Sequence, residues 1–158
     1  MHTIPPVYNS ASRVLMLGSI PSPKSRETGF FYGHPQNRFW KVMAGVLKQK
    51  CPEGNEEKKA FLLNNQIAVW DVLYSCEIEG TKDTSIMNPT PNNLKRVLAA
   101  ADIKGIFATG GKAYELYCRF CEPVTGIKAV KLPSTSPANA AFSLEKLIKA
   151  YSVILEYL

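Results

Sequence analysis

The sequence predicts an α/β protein, a three-layer α/β/α sandwich around a mostly parallel central sheet of about four strands. Two observations lead there. Short, nearly continuous apolar runs alternate with longer amphipathic segments, a pattern that builds right-handed crossovers and a sheet covered on both faces. Apolar residues make up 46% of the 158 residues, enough for one core of that kind without cross-links. No repeat, low-complexity tract or linker interrupts the alternation, so a single domain over 1–158 is expected.

The first strand is read from Arg13 to Gly18 (RVLMLG), apolar almost throughout like a strand buried on both faces. A Pro- and Ser-rich loop follows, Ser19 to Gly33, whose length for a compact domain marks it as a candidate for function. The helix from about Asn37 to Lys48 carries Phe39, Trp40, Val42, Met43, Val46 and Leu47 on a broad apolar face. A second helix, about Glu56 to Asn65, leads into a strand from Ile67 to Leu73 (IAVWDVL). Beyond a polar excursion, helices are expected at 92–101 and 112–121, strands at 103–108 and 128–132, and a closing helix at 142–157. Parallel sheets bind ligands beyond the carboxyl ends of their strands, so the loops after Gly18, Leu73, Ala108 and Leu132 should converge on a site.

Lys and Arg outnumber Asp and Glu by 19 to 13, for a formal charge of +6 and a pI near 9.2. That balance suits a polyanionic partner, although a merely solvated basic surface has the same composition. No apolar run reaches the roughly 20 residues that span a bilayer, and no signal-like segment opens the chain. A soluble, cytoplasmic monomer without a membrane partner is the expectation. Cys118 and Cys121 are close in sequence but lack a second close pair or neighbouring histidines, so they are read as structural thiols. Neither metal nor cofactor is expected.

The four strand-end loops read GSIPSPKSRETGFFYGHPQNRFW, YSCEIEGTKDTSIMNPTPN, TGGKAYE and LPSTSPAN. Ser, Pro and Gly form turns on their own account. Two such loops at one sheet edge, one of them beside aromatics, also suit phosphate oxygens, which accept hydrogen bonds from backbone amides, hydroxyls and lysines. TGGKA opens a helix in a way that could hold an anion, yet it lacks the spacing of a P-loop. The G-x-S-x-G signature of serine hydrolases is also absent.

GSIPS at 18–22, followed by YGHPQNRFW at 32–40, resembles the first motif of mismatch-specific uracil-DNA glycosylases, G-x-N-P-G followed by H-P-x-N-x-F-W. LPSTSPAN at 132–139 resembles their second motif, a Pro-Ser loop that enters DNA at the lesion. Where that group carries the Asn that positions the attacking water, this chain has Ile20, and where many relatives open the second motif with His or Asn it has Leu132. It is more similar to the hypoxanthine-DNA (DNA-deoxyinosine) glycosylase branch, whose GS[FI]P-S motif and H-P-x-N segment are matched here, the latter by His34, Pro35 and Asn37. The resemblance implies a uracil-DNA glycosylase-like fold and a monofunctional glycosylase of base excision repair. Such an enzyme flips a deaminated base, hypoxanthine first and uracil second, out of double- or single-stranded DNA, hydrolyses the N-glycosidic bond and leaves an abasic site. Ile20 and Leu132 motivate the other reading, a catalytically silent DNA-binding module of the same fold.

Bond cleavage leaves negative charge on the departing base, so groups that stabilise an anion are sought first. The backbone N–H groups of Ser19 and Ile20 and the amide of Asn37 are assigned this task, Asn37 having a second reading as the cap of the helix that follows. Tyr32 is the candidate for stacking on the base, with Phe31 and Phe30 as substitutes, while Trp40 is assigned to the core. Asp71 is read as part of the base site or as a buried, hydrogen-bonded carboxylate. Ser22, Lys24, Ser25, Lys112, Ser134, Thr135 and Ser136 are candidates for DNA contact, and Pro137 to Asn139 for filling the space left by the flipped nucleotide. His34, with no evident carboxylate partner, is given a structural role. No amine is placed for a Schiff base, so strand cleavage is not expected.

Overall fold

The computed structural model describes residues 4–20, 23–78 and 86–158, with the side chains of 23, 24, 26, 75–78 and 86–89 left aside. Its strands are β1 (Val14–Gly18), β2 (Ile67–Asp71), β3 (Leu73–Ile78), β4 (Ile86–Pro91), β5 (Gly105–Thr109) and β6 (Val130–Leu132). Four of them form a parallel sheet in the order β2-β1-β5-β6, and β3 pairs with β4 in an antiparallel ribbon. Every residue of β1 and β2 is buried, as their unbroken apolar sequences require of central strands covered on both faces. Val7 bridges antiparallel to Val69, so the N-terminal segment closes the free edge of β2. At the opposite edge β6 is short, with Val130 and Lys131 exposed.

The helices are α1 (Pro23–Thr28), α2 (Phe39–Leu47), α3 (Gly54–Asn64), α4 (Lys95–Ala100), α5 (Gly111–Leu116), α6 (Glu122–Thr125) and α7 (Leu144–Tyr151). The chain steps from β1 to β2 in one direction and from β5 to β6 in the other. Right-handed crossovers therefore send α2 and α3 to one face of the sheet and α5 to the opposite face. This is the three-layer sandwich read from the sequence. α2 buries Phe39, Trp40, Val42, Met43 and Val46, and it packs on α7 at Gly45, where a Cβ would come within 2.5 Å of Ile148 Cδ1.

Register brings the strand ends level: Gly18 pairs with Asp71, Leu17 with Ala108, and Thr109 with Leu132. The order reverses between β1 and β5, which places a crevice beyond their carboxyl ends.

Several elements differ from the sequence reading. The loop at 19–33 contains α1, whose PKSRET sequence has no apolar period to announce it. The strand expected from Ile67 to Leu73 ends at Asp71, and Leu73 instead starts the β3–β4 ribbon made from the polar excursion. Prolines in β4 (IMNPTP) argue against a central strand and are tolerated in a two-stranded ribbon that leaves one side of each strand unpaired. The strands near 103–108 and 128–132 shift or shorten to β5 and β6. The helix expected at 112–121 becomes α5 followed by a π-helical turn, Tyr117–Cys121. The closing helix begins at Leu144, where Ser143 Oγ accepts from Lys146 N at 3.2 Å, and finishes in a 3₁₀ turn, Ser152–Tyr157. No helix among the described residues is long and apolar enough to cross a membrane.

Candidate active site

The ends of β1, β2 and β5 and the segment after β6 meet around an open cavity of about 590 Å³. Gly18, Ser19 and Ile20 enter it from β1, Asp71 from β2, and Thr109 to Lys112 from β5 and the start of α5. Ser134, Ser136 and Pro137 close it from the second-motif loop, while Phe31, Tyr32, His34 and Asn37 come from the segment ahead of α2. Of the four loops expected to converge, those after Gly18, Ala108 and Leu132 do so, and most of the singled-out residues meet here. At the end of β2 only Asp71 lines the cavity among the described residues, because Leu73 starts the β3–β4 ribbon.

Tyr32 has a backbone φ of 52°, a left-handed conformation uncommon for an aromatic residue. Its ring lies on that of Phe39, with centroids 3.8 Å apart and planes within 9°. The phenol oxygen is 2.8 Å from Thr109 Oγ1, whose own proton goes to the Leu17 carbonyl at 3.1 Å, so the tyrosine is the donor. Burial raises the Tyr32 pKa well above its usual value and keeps the phenol neutral. Phe30 and Phe31 are core residues that pack edge to face with each other. Phe31 also reaches the cavity wall, and its carbonyl accepts from Trp40 Nε1 at 3.3 Å. Trp40 lies in the core as expected.

The N-cap of α2 is Arg38, so Asn37 stands one residue ahead of the cap position and bonds the first N–H of the helix from there. Its Oδ1 accepts from Phe39 N at 2.9 Å and from Thr135 Oγ1 at 2.8 Å. A backbone N–H can only donate, so the amide oxygen must face the helix. The amide nitrogen has no partner among the described residues, and the side chain lines the cavity.

Thr135, a phosphate candidate in the sequence, is buried beneath the loop with its hydroxyl committed to Asn37. Ser134 Oγ accepts from Ser136 N at 3.1 Å and Ser136 Oγ from Ala138 N at 3.2 Å, so both hydroxyls shape successive turns. Asn139 Nδ2 donates back to the Ser134 carbonyl at 3.0 Å. Ser25 is likewise buried, its Oγ accepting from Gly33 N at 2.9 Å to close the loop that carries Tyr32.

Asp71 is 5% exposed and ends β2. Its Oδ1 lies 2.6 Å from where a Cβ on Gly18 would be, so only glycine fits opposite it. Its Oδ2 is buried without a hydrogen-bond partner among the described residues, unlike the satisfied carboxylate that was the alternative reading. Burial raises the carboxyl pKa to about 7. Asn92 Nδ2 pins the backbone there by donating to the Asp71 carbonyl at 2.8 Å.

Ile20 packs against the edge of the core, and Lys112 stands half-buried in the cavity wall. His34 is exposed, and its Nδ1 accepts from Gln36 N at 3.1 Å, a loop-shaping bond that accords with a structural role. Ser22 and the side chain of Lys24 lie outside the described residues. Leu132, at the end of β6, is buried in the core.

Two site residues escaped the sequence reading. Thr109 was missed because β5 was ended one residue too early; a hydroxyl at a strand's carboxyl end is itself a usable signal. Arg38 was missed because its partners are remote. Its Nη1 donates to the Phe142 carbonyl at 2.5 Å, its Nη2 to the carbonyls of Ser136 at 3.1 Å and Asn139 at 3.0 Å, and its backbone N–H to Thr135 O at 3.1 Å.

Residues 5–158 match the family model described as the Uracil DNA glycosylase superfamily. A protein of Methanosarcina acetivorans named Hypoxanthine DNA glycosylase is 32% identical over 146 residues, 88% of each chain. One of the same name from Methanosarcina barkeri is 30% identical over 140 residues, 85% of each chain. A solution NMR structure from Methanosarcina acetivorans, whose name places it among uracil DNA glycosylases, aligns with a TM-score of 0.78 at 28% identity over 98% of both chains.

Proposed function

Because the chain belongs to the uracil DNA glycosylase superfamily, we propose that its cavity receives a deaminated base flipped out of DNA, with hypoxanthine the first substrate and uracil the second. The protein is a DNA glycosylase, a hydrolase of N-glycosidic bonds. The observation that carries the substrate-site reading is the oriented amide of Asn37, its oxygen held by Phe39 N and Thr135 and its nitrogen at the cavity without a partner among the described residues.

As the bond from C1′ to the base nitrogen breaks, the electron pair goes to the base, water adds its oxygen to C1′, and the water's proton is released. Asn37 Nδ2, with the backbone N–H groups of Ser19 and Ile20, stabilises the charge accumulating on the base. A fixed donor of this kind contributes roughly 2 to 4 kcal/mol in the transition state. Tyr32, backed by Phe39, supplies the stacking face, worth roughly 1 to 3 kcal/mol per base.

Asp71 reads the base edge. Deamination turns an amino-substituted ring into a lactam whose ring N–H can donate to a carboxylate oxygen. Adenine presents a lone pair at the same position and gives the ionised Asp71 carboxylate no donor, a costly arrangement in a buried site. Lys112 and the rim of the second-motif loop face the DNA backbone, and Pro137 to Asn139 occupy the space of the flipped nucleotide. The protein acts as a cytoplasmic monomer and leaves the strand uncut.

Oligonucleotides carrying a single deoxyinosine, deoxyuridine, xanthine or ethenoadenine, incubated with the protein and then treated with alkali, test this. Breaks should appear at deoxyinosine. Binding without breaks at any lesion would favour the silent module that Ile20 and Leu132 suggest.

A further inference from the structure

We infer that Arg38 is a positioning residue whose guanidinium holds the second-motif loop in the shape that enters duplex DNA, so that it governs excision from duplex far more than from single strands. The inference rests on the glycosylase reading above. Its three side-chain bonds end on carbonyls of Ser136, Asn139 and Phe142 and thus span the outward half of the loop. The planar fork of a guanidinium fixes direction as well as distance, which one flexible ammonium cannot do.

Apart from Phe142, which packs against the core, this half of the loop has few other anchors among the described residues. Pro137, Ala138, Ala140 and Ala141 are exposed, and the hydrogen bonds of Ser136 and Asn139 side chains stay within the loop. Arg38 is half-buried, and among the described residues it has no acidic partner and its buried Nε has no hydrogen bond. Burying an unpaired cation is expensive, and an apolar residue would fill the same space at lower cost. What the guanidinium adds is a defined loop shape.

The base-release machinery is held separately. Asn37 is oriented by Phe39 N and Thr135, and Thr135 O accepts from the backbone N–H of Arg38, bonds that no change of the side chain at 38 removes. The side chain therefore serves the loop tip, while the backbone serves the catalytic amide. A duplex must have its base extruded and the vacated space filled, whereas a single strand needs neither step.

Single-turnover release of hypoxanthine from one deoxyinosine, in duplex and in the same single strand, tests the assignment. Arg38→Met keeps the stem and removes the donors. It should slow release from duplex by about tenfold or more and from single strands by less than about threefold. Arg38→Lys, retaining the charge but not the fork, should fall between Arg38→Met and the unaltered protein on duplex. An equal fall on both substrates in a protein of unchanged melting temperature, or no fall on duplex, would overturn it. Should Arg38→Met not fold, an unchanged duplex-to-single-strand ratio in Arg38→Lys has the same force. If the unaltered protein fails to act on both substrates, the functional reading fails instead. The clamp would then be judged by amide hydrogen exchange in either folded variant: faster exchange at 136–142 supports it, and unchanged exchange overturns it.

Discussion

A single side chain can serve structure and chemistry together when its two ends face different surroundings, and this is the double role proposed for Asn37. Its oxygen is committed to Phe39 N and Thr135, and only the nitrogen is left for a ligand. Asn37→Asp keeps an oxygen at both bonds and removes the donor. It should leave melting close to normal while lowering base release by on the order of a hundredfold, read in single-turnover assays. Asn37→Ala should add a stability loss of about 1 kcal/mol from the missing bonds to Phe39 N and Thr135. Normal turnover in Asn37→Asp would remove Asn37 from the chemistry. Asp71 gives a second test at this scale. Burial lifts its pKa from 3.8 to about 7, so the folded state holds the proton more tightly than the unfolded chain. That contribution to stability is complete below about pH 4 and is lost as pH rises through 7, at a cost on the order of 4 kcal/mol if the carboxyl stays dry. Urea unfolding of Asp71→Asn should lack this decline, and stability curves that run parallel from pH 4.5 to 8 would refute it.

At the scale of elements, α2 ties the two motifs together. Its first residues carry Phe39, on which Tyr32 stacks, and its middle rests against α7 at Gly45, beyond the end of the second-motif loop. A larger residue at Gly45 would push α7 outward, since even a Cβ meets Ile148 at 2.5 Å. Gly45→Leu is therefore expected to cost roughly 1 to 3 kcal/mol, seen as a lower urea midpoint. An unchanged midpoint would mean that the helices separate freely. The apolar period of α2 was legible because a helix with one buried face must repeat every three to four residues. α1 and the β3–β4 ribbon were not, because neither carries an apolar pattern of that kind.

For the whole molecule, a charge of +6 on a fold whose loops gather at one sheet edge makes binding to DNA depend on counterion release. The logarithm of the association constant should fall linearly with the logarithm of salt concentration, with a slope near −0.9 for each duplex phosphate neutralised. A flat response would separate the charge from the function. Asn37 and water supply the chemistry as proposed, so excess EDTA should leave the rate of hypoxanthine release unchanged, and strong inhibition would count against the mechanism.

The alternation of RVLMLG, IAVWD and GIFAT with amphipathic helices determined the parallel sheet, because strands buried on both faces must be apolar throughout and their crossovers must cover them. The two motifs also placed Asn37, Tyr32 and the Ser-Pro loop at one end of that sheet before any distance was known. Tertiary structure alone decided which end of the Asn37 amide is free, that the Thr135 hydroxyl faces Asn37 and not solvent, and that Arg38 reaches carbonyls about a hundred residues away. Periodicity records which face of an element is buried. A polar side chain's partner depends on where remote backbone groups come to lie, and local residue order carries no trace of it.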